Sequence, residues 1–261
     1  KPPKAWSNAN APPAYAGFSG ASSARCGERG FVLSKVAVYL LYKTMLNANK
    51  IAQFCATQYN APLCPTEGAV NIVYIEGMNP DGTENSDRLD EWNDLRVLVG
   101  MVEGDWKILF SQIATTEPGR FYTEKPLNKK GAARIAFGYH PPAWAHGPHK
   151  GTQPALVQRR STLIHRDLNR DGKRNASEKP HQSGLIGLNQ HSTKPGYKGG
   201  SIGKYSAACL VGMDYDMHIT FLQMTKFDPR YLASENIGQE YLYDLWALPG
   251  DEFAKFKLPL V

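Results

Sequence analysis

Long apolar stretches are what this sequence lacks most clearly. No run of about 18 apolar residues occurs in its 261 residues, so the sequence predicts no membrane span. The most apolar segment, 31–46, is interrupted by Ser34, Lys35, Lys43 and Thr44 and is typical of a buried helix. Blocks of Lys and Arg interleaved with aromatic residues are missing too. Nucleic acid is therefore not a predicted partner, although the formal net charge is +6.

Cysteine is also scarce. The four cysteines are too few for a disulfide scaffold in a chain of this length, and none belongs to a C-x-x-C metal pair. Cys55 and Cys64 flank a short loop and either form a disulfide bridge or stay free thiols. Cys209 is left as the candidate functional thiol.

The residues that are present describe a folded, mainly β protein. Hydrophobic residues make up 42% and charged residues 21%, the balance of a globular protein. From residue 69 onward, short apolar runs alternate with turn residues. This pattern predicts strands at 70–75, 95–101, 106–113, 132–137, 155–158, 162–164 and 185–188. A helix is predicted at Tyr215–Lys226, and one or two more within 29–58. The expected class is α+β, with an N-terminal arm and helical extension (1–68), a main domain (69–230) and a C-terminal extension (231–261).

One histidine and one cysteine stand out because of the segments that carry them. A short apolar run ends at His191, and a Gly- and Lys-rich loop leads from there to a turn of small residues before Cys209. This order predicts that both side chains lie at one edge of a sheet. A free thiol has a pKa of about 8.5, so an imidazole that stabilises the thiolate makes it a much better nucleophile. Backbone N–H groups of the turn 207–209 could hold the oxyanion that forms when a peptide carbonyl is attacked.

Two sequence blocks resemble the L,D-transpeptidase (YkuD-like) family. The first is His191, a spacer of fourteen residues and then Ser206-Ala207-Ala208-Cys209, which is similar to that family's His, spacer and Ser-x-Gly-Cys. The second is 114–123, which looks like the family's Thr-Pro-x-Gly-x-Phe stretch with one extra residue between Thr and Pro. The predicted strand pair before it, joined by a Glu-Gly-Asp turn, is similar to the family's opening hairpin. The order of the blocks also matches.

The resemblance implies a fold, an activity and a set of residue roles. The fold is a YkuD-like β-sandwich or barrel, and the activity is acyl transfer at the stem peptides of bacterial peptidoglycan, with no cofactor required. Cys209 is then the nucleophile, His191 the general base and acid, and Ser206 the neighbour that positions the pair. Ala207 and Ala208 belong to the oxyanion or substrate site. The expected location is the periplasm or the cell wall, reached by secretion or by a phage or toxin. The N-terminus does not resemble a signal peptide, which a mature chain would already have lost.

Three positions depart from the family's pattern. Ala208 stands where the family has Gly, Ser192 where a Gly follows the His, and Val211 where an Arg is a contact for the substrate carboxylate. The alanine is compatible with the motif only if its φ is below zero. If carboxylate recognition has moved, three cations are the candidates for it: Arg120, Arg134 and Lys204.

A separate motif predicts a calcium loop. Asp167, Asn169, Asp171 and Glu178 fit the spacing D-x-N-x-D-G-x5-E, with Gly172 at the sharp turn. Oxygen ligands at these positions can converge on one Ca²⁺. The preceding segment is typical of a strand and not of an EF-hand helix, and cationic residues lie beside the loop. A polar turn without metal is therefore the alternative.

Two other functions stay open on the sequence alone. A fold that has lost catalysis would give a wall-binding or structural protein of a virion or cell surface. A zinc-dependent lytic peptidase would use His140, His146, His149 and His191, although their spacing matches no zinc motif and the prolines among the first three favour a loop. The aromatic cluster at 241–246 is predicted to be an edge strand that packs its rings into the core.

Overall fold

The computed structural model describes residues 46–258, so the predicted N-terminal arm and the segment 29–45 lie outside it. The described chain is mainly β with a few helices, which confirms the predicted β-rich α+β class. The helices are α1 (Ala48–Tyr59), α2 (Arg120–Glu124), α3 (Tyr215–Lys226), α4 (Pro229–Asn236) and α5 (Gly250–Lys255). The strands are β1 (Asn71–Glu76), β2 (Asp94–Val102), β3 (Asp105–Thr115), β4 (Ala132–Ile135), β5 (Gly138–His149), β6 (Gln153–Gln158), β7 (Leu163–Asp167), β8 (His181–Gln182), β9 (Gln190–Ser192), β10 (Leu210–Gly212) and β11 (Tyr243–Pro249). No helix within 46–258 has the length and apolar character needed to cross a membrane.

Eight of these strands close into a barrel in the order β1-β11-β5-β6-β9-β10-β3-β2, and the other three form a small sheet, β4-β7-β8. Alternate residues of β1 enter two different cores, because side chains of a strand point to opposite faces. Ile72 and Tyr74 join one cluster with residues of β6, β10 and α3. Val73 and Ile75 join a second cluster with residues of α1 and α5. The four central residues of β1 are buried on both faces as a result, which explains why they are all apolar or aromatic.

β5 corrects the prediction of a loop at 138–149. Its prolines are accommodated because they fall where no ladder hydrogen bond is required. Pro148 lies opposite Pro154 of β6, so the two residues that lack an N–H share one rung. The other two prolines lie within a register shift between β5 and β11, where a bulge interrupts the pairing. Trp144 beyond the bulge is fully buried, and this burial holds the strand in the barrel.

Two further strand predictions are corrected. The segment 185–188 is irregular, because its backbone bonds to side chains and not to another strand: Leu188 N–H donates to Gln158 Oε1 at 3.0 Å and its carbonyl accepts from Trp144 Nε1 at 2.7 Å. The aromatic segment near the C-terminus does bury its rings, but β11 is not an edge strand. It pairs in parallel with β1 and antiparallel with β5, and so helps to close the barrel.

The other predicted elements agree with the structure within a few residues. The remaining six predicted strands correspond to β1, β2, β3, β4, β6 and β7, and α3 has the predicted bounds. The Asp214 carboxylate begins α3 by accepting from Met217 N–H at 2.8 Å. α1, within the predicted helical region, begins at an Asn47 cap. Cys55 and Cys64 are both free thiols, so they do not form the disulfide bridge that the sequence left open.

Candidate active site

Cys209 and His191 are delivered by two adjacent parallel strands. His191 lies in β9 opposite Val211 of β10, and Cys209 immediately precedes β10. Parallel neighbours place corresponding ends side by side, which is why the chain needs the long 193–209 connection between the two residues. The Cys209 sulfur and a His191 ring nitrogen lie within 4.8 Å of each other. The sequence prediction that both side chains share one edge therefore agrees with this geometry.

The upstream motif block 114–123 reaches the same place through β3. Thr115 pairs with Val211 of β10, so β9, β10 and β3 lie side by side. Gly119 N–H donates to the Ser206 carbonyl at 3.0 Å, three residues before the cysteine. A side chain at Gly119 would meet the Gly203 carbonyl oxygen at 2.2 Å, so only glycine permits this close approach. All the motif blocks thus meet around Cys209.

Cys209 is a buried, neutral thiol in this arrangement. Its Sγ donates to the Gly187 carbonyl at 3.3 Å, and its own carbonyl accepts from Ser206 Oγ at 2.8 Å. Burial raises the pKa of the thiol to about 11, while the backbone of Asn189 and the charge of Lys150 act in the opposite direction. Ser206 therefore fixes the turn that carries the cysteine and does not contact the sulfur.

His191 has a ring nitrogen that is available to accept a proton from that thiol. A carbonyl can only accept, so the 2.8 Å contact between its Nδ1 and the Ser192 carbonyl places the proton on Nδ1. Its Nε2 is buried without a hydrogen-bond partner and carries the lone pair. Burial, and after it the neighbouring His149, lower the pKa of His191 to about 3. The imidazole is therefore neutral near pH 7, as a general base must be.

The four histidines of the predicted zinc set do not form one site. His140 contacts Thr162 and Ala136, and His146 contacts Thr225 and Tyr243, whereas His149 stacks on His191 with ring centroids 4.0 Å apart. A ring nitrogen of His149, one of His191 and the Cys209 sulfur all lie within 4.8 Å of one another. This trio has donors suited to a soft metal.

The hydrogen bonds of Asn189 disfavour metal binding by that trio. Its Oδ1 accepts from Gln158 N–H at 2.8 Å, so its Nδ2 is the group that faces His149 Nδ1, at 2.9 Å. The amide donates, and His149 Nδ1 therefore accepts and its proton lies on Nε2. Neither nitrogen of His149 then offers a lone pair to a metal. The arrangement fits a thiol and its base better than a zinc centre.

A groove of about 510 Å³ opens beside His191 and is positively charged, whereas Cys209 is buried and is not among its lining residues. His149 and His191 line it, together with Lys150, Lys194 and Lys204. No acidic residue is among its lining residues. Such a groove favours a substrate with carboxylate groups. The predicted cation Lys204 is one of these residues, and its Nζ also lies 4.3 Å from the centre of the Phe121 ring.

The remaining predicted substrate residues have different positions. Arg120 is exposed at the start of α2 and is not among the groove residues. Arg134 is buried, with its guanidinium 2.6 Å from Glu117 and bonded to the Gly172 carbonyl, so it is not available at the surface. Ala208 is buried and does not have a positive φ, which meets the condition set by the sequence. Ala207 is partly exposed in the same turn.

Lys150 and Lys194 were not recognised from the sequence, because isolated lysines in loops carry no pattern. A buried network under block 114–123 was missed for a similar reason: its carboxylates are far apart in the chain. Glu76 accepts from Thr116 Oγ1 at 2.6 Å and pairs with Arg174, while Glu117 pairs with Arg134. These contacts tie the block to β1, which carries Glu76, and to β4, which carries Arg134. Burial of both ion pairs makes their loss costly.

The predicted calcium residues lie in the turn between β7 and β8. Asp167 accepts from Gly172 N–H at 2.9 Å, and Glu178 accepts from Leu168 N–H at 2.7 Å, so backbone N–H groups of the loop bind both carboxylates. The carboxylates of Asp167, Asp171 and Glu178 do not all lie within 4.8 Å of one another. Asn169 and Asp171 are bonded to each other at 2.9 Å. The elements on both sides are strands, of which the sequence predicted the preceding one, and the loop is not an EF-hand.

In comparisons with known proteins, this chain matches no protein-family model, no curated protein and no solved structure. The function therefore has to be argued from the site itself.

Proposed function

We propose that this protein is a cysteine acyl-transfer enzyme that acts on the stem peptides of peptidoglycan, with a YkuD-like barrel as its catalytic fold. The observation that carries the proposal is the convergence of the motif blocks. His191, Cys209 and the block 114–123 are far apart in the chain, but β9, β10 and β3 are neighbours in the barrel. If these short motifs matched the family by chance, their segments would not be expected to lie side by side in the fold.

The proposed first step transfers a proton from Cys209 Sγ to His191 Nε2. The pair is neutral at rest, since the thiol pKa lies near 11 and the imidazole pKa near 3, and with these values proton transfer is strongly uphill until substrate binding changes the surroundings of the pair. The thiol must therefore leave the Gly187 carbonyl and move to His191 when substrate binds, a tightening that catalytic hydrogen bonds commonly undergo. The Nδ1–H bond to the Ser192 carbonyl holds the ring in the tautomer that can accept this proton.

The thiolate then attacks the peptide carbonyl carbon, and a C–S bond forms as the C=O π electrons move to oxygen. Backbone N–H groups of the turn 207–209 are the proposed donors to this oxyanion. Collapse of the intermediate breaks the C–N bond, and the proton on His191 Nε2 passes to the leaving amine. The resulting thioester gives its acyl group to an amine, which is transpeptidation, or to water, which is hydrolysis.

The groove supplies the proposed basis for recognising the stem peptide. Val211 cannot contact a carboxylate, but Lys150, Lys194 and Lys204 lie along the groove beside His191. Stem peptides carry free carboxylates at diaminopimelate, so their charge complements this surface. A protein with this activity works in the periplasm, on the wall or in a phage or toxin delivered to it.

The test is to incubate the purified protein with muropeptides that carry a tetrapeptide stem. We expect mass spectrometry to detect loss of the terminal stem residue and an acyl adduct on the tryptic peptide that contains Cys209. An unreacted thiol, with muropeptide binding still measurable, would instead support the alternative of a silent wall-binding protein. Activity that is lost with a chelator and restored with Zn²⁺ would support the zinc alternative.

The loop 167–178 gives a separate prediction, which is binding of one Ca²⁺. We expect titration calorimetry to record a Kd of about 10⁻⁴ to 10⁻³ M, the range of extracellular calcium modules. Glu178→Gln should weaken binding about tenfold or more, because it removes charge but keeps the oxygen that accepts from Leu168. Asp81→Asn is the control, since Asp81 accepts from Thr83 N–H at 2.9 Å in another Asp turn. Absence of binding heat at millimolar Ca²⁺ contradicts the prediction.

A further inference from the structure

His149 contacts the catalytic base directly. It is the last residue of β5, at the turn into β6, and its ring is nearly parallel to that of His191, at 13° and 4.0 Å between centroids. Its side chain is almost fully buried, but it also lines the groove. A ring nitrogen of His149 lies within 4.8 Å of the Cys209 sulfur. The residue therefore contacts His191 and lines the groove beside it.

The proton of His149 is held on one nitrogen by a chain of hydrogen bonds. Gln158 N–H donates to Asn189 Oδ1, and Asn189 Nδ2 donates to His149 Nδ1. The Gln158 N–H can only donate, so the Asn189 amide cannot flip without losing its hydrogen bond to that group. His149 consequently presents an N–H at Nε2 and has no free lone pair. Of the two stacked imidazoles, only His191 can take a proton.

We propose that His149 is a positioning residue of the site, whose stacked ring fixes the plane of His191 and whose Nε2–H stabilises negative charge as it develops on Cys209. The catalytic consequence rests on the proposed function, but the effect on the thiol does not. Deprotonation of Cys209 is favoured by donors near the sulfur. The Gly187 carbonyl that it contacts at rest is an acceptor, whereas the backbone of Asn189 already favours the thiolate. His149 supplies a donor without competing as a base.

Neighbouring groups keep His149 in this role. Burial lowers the pKa of His149, and the charge of Lys150 next to it acts in the same direction, so the ring stays neutral near pH 7. Lys150 also lowers the pKa of Cys209. The end of β5 and the turn that follows it thus carry a ring with an N–H and a cation that both lie near the thiol.

The test compares two variants that separate stacking from donation. His149→Phe keeps an aromatic ring but has no N–H, and His149→Gln keeps an N–H donor but has no ring. The measurement is the rate of Cys209 alkylation by iodoacetamide from pH 6 to 10, resolved by mass spectrometry of the Cys209 peptide. Alkylation of Cys64, a partly exposed free thiol, serves as the internal reference.

We expect His149→Phe to label Cys209 about tenfold more slowly than the wild type at each pH from 6 to 10, because below the thiol pKa a rise of one pKa unit means tenfold less thiolate. His149→Gln should stay within about threefold of the wild type. Equal rates for the wild type and His149→Phe overturn the proposal, as does slow labelling of His149→Gln with normal labelling of His149→Phe.

A third variant keeps the test valid if a ring replacement fails to fold. Asn189→Asp retains the acceptor for Gln158 N–H but turns the donor to His149 Nδ1 into an acceptor, which moves the His149 proton away from Nε2. Its labelling should fall as in His149→Phe, and unchanged labelling overturns the proposal. Muropeptide turnover is measured in parallel. If the variants label Cys209 as expected but the wild type does not turn over muropeptides, the proposed function alone is refuted. If the wild type turns over muropeptides but the variants label Cys209 at the wild-type rate, the role of His149 alone is refuted.

Discussion

Replacing Cys209 with alanine is expected to reduce muropeptide turnover at least about 10³-fold, since removal of a covalent nucleophile leaves only binding and oxyanion stabilisation. The fold should survive. The lost sulfur makes one hydrogen bond, to the Gly187 carbonyl, and a bond of this kind contributes about 1 kcal/mol. The expected change in Tm is about 2–4 °C. Turnover by liquid chromatography and Tm by scanning calorimetry measure the two effects.

Cys64→Ala is the matched control for this variant. Cys64 is also a free thiol, but it is only partly buried and lies before β1, outside the groove. Its removal should leave turnover unchanged. Loss of activity in Cys64→Ala, or more than about one tenth of wild-type activity in Cys209→Ala, would mean that another group attacks the substrate. A large drop in Tm for Cys209→Ala would show instead that the thiol has a structural role.

The sequence predicts that His191 and Cys209 lie at one edge of a sheet, but it does not predict the strands that bring them there. Short motifs report local chemistry, so the His191 and Cys209 segments were identifiable from residue type and order. The strand assigned before His191 is nevertheless wrong: 185–188 is irregular, and only three residues, Gln190–Ser192, form β9. So short a strand has too few residues for a period-2 pattern. Its pairing with β10 comes from the tertiary fold.

β5 and β11 show a second limit. Prolines in β5 predict a loop on local grounds, and only the opposite Pro154 and the bulge against β11 make a strand possible. β11 looks like an edge strand because its sequence does not reveal a parallel partner 170 residues upstream, Val73 opposite Trp246 in β1 among others. Lys150 and His149 illustrate the same point for function. The roles proposed for these two residues depend on ring stacking between His149 and His191 and on the groove, and no local sequence pattern encodes either feature.

His191→Asn is expected to lower kcat/KM about 10²- to 10⁴-fold at pH 7, the usual contribution of a general base. Asparagine is the sharpest replacement, because its Nδ2 can take the place of Nδ1 and donate to the Ser192 carbonyl, while nothing replaces Nε2. His181→Gln is the control. His181 is exposed in β8 and lies outside the groove, so its replacement should leave kcat/KM unchanged.

The pH dependence distinguishes a lost base from a merely disturbed site. In the wild type, the base is protonated only near pH 3 and the thiol ionises only near pH 11, so kcat/KM should be almost flat from pH 5 to 9. Without His191 the reaction depends on thiolate formed by solvent. Its rate should then rise about tenfold per pH unit towards the raised thiol pKa, and the deficit of the variant should shrink as the pH rises. A flat profile in His191→Asn would show that the Cys209 proton goes to another group. Of its two neighbouring imidazoles, His149 cannot be that group while Asn189 donates to its Nδ1, so proton transfer to His191 Nε2 is the only route that this pair of stacked rings allows.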